Sequence, residues 1–79
     1  MPRVIKTAEE IQAEVHRRVH ALREVSEDGT EIGIPLPTWH QPDDTGCNWE
    51  MRYIRNPGSH VAAVERIIAA VRGGWNLKD

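Results

Sequence analysis

The stretch Glu31–Ile54, EIGIPLPTWHQPDDTGCNWEMRYI, decides the fold. In its first part Ile32, Ile34 and Leu36 alternate with Glu31, Gly33, Pro35 and Pro37. In its last part Trp49, Met51 and Tyr53 alternate with Asn48, Glu50 and Arg52. A period of two residues is the mark of a strand with one buried face, so the spacing predicts strands over 31–36 and 48–54. Pro35 and Pro37 have no N–H to give a neighbour, which assigns the first strand to a sheet edge and guards that edge against pairing with other chains. Between the strands, Pro42, Asp43, Asp44 and Gly46 mark a long loop over Thr38–Gly46. The two strands are expected to pair as an antiparallel hairpin across it, with a register set by packing more than by the turn.

Outward from this stretch the period changes to that of a helix. Upstream, Thr7-Ala8-Glu9-Glu10 is a capping box, and Ile11, Val15, Val19 and Leu22 recur at spacings of four, four and three. This predicts a helix over 8–25, closed by the polar turn Ser26-Glu27-Asp28-Gly29. Downstream, Val61, Val64, Ile68 and Val71 predict a second helix over 57–72, entered at Asn56-Pro57 or Ser59 and closed by Gly73-Gly74. Trp75–Asp79 reads as a tail in which Trp75 and Leu77 fold back on the core, and Val4-Ile5 is the one candidate for a third strand. The expected architecture is α+β: two helices packed on one face of a small antiparallel sheet, element order α-β-β-α, in one domain over residues 1–79.

Composition bounds the function. The chain has 79 residues, 39% of them apolar and 28% charged, a balance that suits a small soluble globular domain. No apolar run is long enough to span a membrane, and the first residues lack the apolar core of a signal peptide, so cytoplasmic residence is expected. Cys47 is the single cysteine and cannot form an intrachain disulfide. The net charge of −2 is unevenly placed: residues 26–50 hold six Asp/Glu and no Lys/Arg, between mildly basic ends.

No motif carries a specific chemistry. His16 and His20 share a helix face and can chelate a metal together, but Arg17 stands where a zinc-hydrolase helix has its glutamate. Further ligands would have to come from Cys47, His60, Asp43 or Asp44, whose spacing matches no metal site; no metal and no cofactor are expected. Asp43-Asp44 lacks the alternating oxygen ligands of a calcium loop. His40 and Cys47 are the only candidates for a base and nucleophile pair, the basis of a cryptic-enzyme reading. Arg52, Arg55 and the first-helix arginines Arg17, Arg18 and Arg23 support a nucleic-acid-associated reading, which the negative net charge disfavours. The leading reading is a protein-interaction or accessory module, with a protein partner or a second copy of the chain as in a homodimer. Trp49 has the parity of a core residue, whereas Trp39 lies at the start of an acidic loop. An indole there either plugs the core from the loop or stays partly exposed, and exposed beside His40, Asp43 and Asp44 it is suited to anchor a protein contact.

Overall fold

The computed structural model describes residues 3–78, so the outermost residues of the expected 1–79 domain, and the last residue of its tail, lie outside the described part. The element order is β1 (Val4–Lys6), α1 (Ala8–His20), α2 (Arg23–Asp28), β2 (Thr38–Trp39), β3 (Trp49–Glu50), a 3-10 turn (Gly58–His60), α3 (Val61–Arg72) and β4 (Trp75–Leu77). This corrects the α-β-β-α expectation. Among the described residues there are three α-helices and two separate two-stranded sheets: β1 and β4 pair in parallel, β2 and β3 antiparallel.

The predicted first helix is two helices. The Thr7 capping box forms as expected, with Glu10 N–H on the Thr7 hydroxyl and Glu10 carboxylate on Thr7 N–H. Ile11, Val15 and Val19 are fully buried. The chain then turns extended at Leu22 (ψ 131°), and α2 restarts with Ser26 N–H bonded to the Leu22 carbonyl. That restart brings Val25 into the core and carries the helix to Asp28, where Gly29 closes it in the left-handed region (φ 66°). The expected polar turn 26–29 is thus mostly helix.

The predicted hairpin survives as a broken ribbon. Gly33 pairs with Arg55, Thr38 with Glu50 and Trp39 with Trp49, all on one register. Gly33 and Arg55 exchange both backbone hydrogen bonds. Continuing that pattern would call on the N–H groups of residues 35 and 37, both proline, so the strand 31–36 shrinks to a single bridge. The strand expected over 48–54 is reduced to β3, and across from Pro35 Tyr53 takes a left-handed backbone (φ 63°) with its side chain exposed. Tyr53 and Leu36 were both expected on the buried face and are instead 87% and 50% exposed. Gly33 is required by proximity, since a Cβ there would lie 3.0 Å from the Cβ of Arg55.

The second helix begins later than expected. The chain passes through the 3-10 turn before α3, so His60 is buried while Val61, assigned to the apolar stripe, is exposed. Val64, Ile68 and Val71 hold the stripe, and α3 packs against α1. The expected tail is β4, whose parallel partner is the Val4–Lys6 segment.

The two sheets are joined by side chains rather than by a ladder. Asn48 donates through Nδ2 to the Leu77 carbonyl at 2.9 Å and accepts the Leu77 N–H on Oδ1 at 2.8 Å. Trp49 Nε1 donates to the Trp75 carbonyl at 2.9 Å, and Asn76 Nδ2 to the Gly46 carbonyl at 3.0 Å. The core between them contains Trp49, Ile32, Cys47, Met51 and Leu77 with the helix stripes.

Candidate interaction surface on the hairpin

The loop between β2 and β3 is built on Asp43. Its Oδ1 accepts from Thr45 N–H at 2.9 Å and from the Thr45 hydroxyl at 2.6 Å, while the Asp43 carbonyl accepts from Gly46 N–H at 2.9 Å. Gly46 supplies the left-handed residue (φ 87°) that the reversal requires. The second carboxylate oxygen meets the Arg72 guanidinium at 3.2 Å, and Arg72 Nε donates to the Trp49 carbonyl at 2.9 Å. The Thr45 hydroxyl and N–H, with Arg72 nearby, hold the Asp43 carboxyl below its usual range, so the group stays ionised. Asp43 therefore ties the loop to the end of α3, whereas Asp44 projects freely from the loop.

Arg3 reinforces the same junction. Its guanidinium donates to the carbonyls of Arg72, Gly73, Thr45 and Trp75, and Nε donates to Asn76 Oδ1 at 2.5 Å. A cation on the last carbonyls of α3 is placed where the helix dipole is negative. Nothing local in the sequence marks Arg3 for this role, because its partners lie 42 to 73 residues away. Asp43, Thr45, Ala69, Arg72 and Gly73 line a shallow hollow of about 240 Å³ beside this junction. Its charged groups are already engaged with each other.

With the loop anchored, the ribbon leaves three large apolar side chains exposed. Trp49 is fully buried and its cross-strand partner Trp39 is 46% exposed. Leu36 and Tyr53, on the same ribbon, are exposed as well. Sequence parity misses these two; the proline pattern that breaks the strand is the signal that finds Leu36. His40 is partly buried next to Trp39, its N–H bonded to the Asn48 carbonyl at 2.8 Å and its Nδ1 2.6 Å from the Gln41 carbonyl. Of the four residues named for protein contact, Trp39 and Asp44 face solvent, His40 flanks Trp39, and Asp43 is held in the loop framework.

The other candidates are placed differently. Cys47 is buried, with its thiol donating to the Trp49 carbonyl at 3.3 Å, and no hydrogen bond joins it to His40 among the described residues. Arg17 and Arg18 both bind Glu14, Arg23 binds Glu27, and Arg52 binds Glu50 at 3.0 Å. Arg55 packs against Gly33. The Asp28–His60 contact of 2.7 Å links α2 to the 3-10 turn before α3. Glu31, by contrast, comes to lie beside His16 and His20, a grouping that sequence spacing does not reveal. No described helix is long and apolar enough to cross a membrane. Compared with protein-family models, with curated proteins and with solved structures, the chain shows no significant match to any.

Proposed function

We propose that this small α+β domain is a protein-interaction module whose contact surface is the exposed part of the Gly33–Arg55 hairpin, with Trp39 as its anchor. The observation that carries the reading is the exposure of Trp39, 46% as a residue, on a ribbon whose cross-strand partner, Trp49, is locked in the core. An exposed indole on a rigid support loses little freedom on binding and offers a large apolar face with one N–H donor. Tyr53 supports the same reading. Its left-handed backbone costs on the order of 1 kcal/mol, and the conformation holds an aromatic ring in solvent where a partner can cover it. Single exposed apolar side chains are ordinary on a monomer. Three on one short ribbon, two of them aromatic, are less so.

The charge pattern suggests the partner. Asp44 lies at the loop end of the ribbon, beside the Asp43–Arg72 pair, so a surface combining an apolar pocket with Lys or Arg fits best. A second copy of this chain is the simplest protein partner, and cytoplasmic residence suits a lone reduced cysteine. The arginines give the nucleic-acid reading less support, because four of the five named are paired with carboxylates close by in sequence.

The test is retention of a partner from the native host by the wild-type chain and by Trp39→Ala, alongside sedimentation over a concentration series. The reading expects a protein, or self-association, that the substitution abolishes while circular dichroism is unchanged. Equal retention by both chains, or retention of nucleic acid alone, overturns it.

A further inference from the structure

On α1, His16 and His20 lie one turn apart with ring centroids 4.1 Å from each other. The reversal through α2 and Gly29 returns the chain so that one potential ligand atom from each of His16, His20 and Glu31 lies within 4.8 Å of the others. We propose that His16, His20 and Glu31 form a binding site for a borderline divalent cation, Zn²⁺ in the first instance. This inference is independent of the hairpin and of what the hairpin binds.

Three observations support it. First, His20 Nδ1 lies 2.9 Å from the His16 carbonyl, while its Nε2 lies 3.2 Å from Ile32 N. The Ile32 N–H is a donor, so Nε2 carries the lone pair and Nδ1 carries the proton. An imidazole whose Nδ1–H is fixed on a backbone carbonyl is the arrangement in which Nε2 ligates a metal. Second, the arginine that would oppose a cation is turned away: Arg17 donates to Glu14 at 2.7 Å, and Arg18 to the same carboxylate at 2.6 Å. Third, His20 is in the last turn of α1, where the helix dipole favours positive charge.

Two imidazoles and one carboxylate suit zinc and its neighbours and leave a coordination position open. Metal bonds of about 2.0–2.2 Å require the three donors to draw together, and the exposed side chains of His16 and Glu31 are free to turn toward His20. Ligation exchanges the long Ile32-to-His20 hydrogen bond for a metal bond, so affinity in the micromolar range is expected rather than the tight binding of a structural zinc. The same exchange gives the site a signature, since the Ile32 amide loses its acceptor when the metal binds.

The experiment is titration of the metal-free full chain with zinc chloride, followed by calorimetry and by amide and imidazole NMR. The expected result is saturable one-to-one binding in which the His16 and His20 ring signals and the Ile32 amide shift together. Calcium and magnesium should produce none of these shifts. His16→Ala and Glu31→Gln should each weaken zinc binding by about tenfold or more, without altering the circular dichroism of the metal-free chain. His40→Ala should leave it unchanged. Absence of saturable binding, equal affinity in His16→Ala, or a loss on His40→Ala would overturn the assignment.

Discussion

The side chain of Asn48 binds Leu77 as a neighbouring strand would, giving one hydrogen bond to its carbonyl and taking one from its N–H, both buried. This amide stands where a backbone ladder between β3 and β4 would otherwise run, and it couples the hairpin to the sheet formed by the chain ends.

Asn48→Ala should therefore leave two buried backbone groups unpaired. A loss of about 2–4 kcal/mol is expected, since each unsatisfied buried group costs roughly 1–3 kcal/mol. Asn48→Asp should fare no better, because a carboxylate can accept from Leu77 N–H but has no proton for the Leu77 carbonyl. Urea unfolding at an unchanged m-value checks both.

The two cross-strand tryptophans should separate cleanly. Trp49→Ala removes a fully buried indole and its hydrogen bond to Trp75, and should cost about 3–5 kcal/mol. Trp39→Ala should cost about 1 kcal/mol or less in the monomer, because the residue is already 46% exposed. Denaturant curves for the two variants at low concentration measure the difference.

Glu14 gives the fold an acid limb. Hydrogen bonds from Arg17 and then Arg18 lower its pKa from 4.5 to about 2. A carboxylate depressed in the folded state stabilises it fully above the unfolded value of 4.5, and the contribution fades as pH falls toward 2. Arg17 is largely exposed, so solvent screening reduces the expected contribution to about 1 kcal/mol. Glu14→Gln should be less stable than wild type at neutral pH by that amount. The two chains should converge near pH 2, which thermal melts across the range would follow.

Gly33→Ala tests the hairpin's narrowest point. The added methyl would press on the Arg55 side chain at 3.0–3.1 Å, and a loss of about 1–3 kcal/mol is expected. Pairing Gly33→Ala with Arg55→Ala should recover part of that loss, since removing the guanidinium stem clears the Nε contact.

Periodicity made much of this legible. The stripes Ile11-Val15-Val19 and Val64-Ile68-Val71, the capping box at Thr7 and the buried parity of Ile32, Ile34, Trp49 and Met51 all follow from spacing. The break at Leu22 does not, because no glycine or proline marks it and only tertiary packing of Val25 favours it. The pairing of Val4–Lys6 with Trp75–Leu77 joins opposite ends of the chain, and three residues are too few to show a period. Asn48 and Arg3 gain their roles from partners distant in sequence, as Glu31 gains its place beside His16 and His20. In the hairpin, Pro35 and Pro37 carry the information that the ladder fails there. Alternation alone obscures it and puts Leu36 and Tyr53 on the wrong side.

The most direct test of the interaction surface is a photoreactive phenylalanine analogue placed at position 39, irradiated in the native host and compared with the same group at Ala62, an exposed site on α3. The hairpin account predicts a discrete protein adduct, or a covalent dimer, from position 39 and not from position 62. Identical adducts from both positions, or none from position 39 while the variant remains folded and expressed, would contradict it.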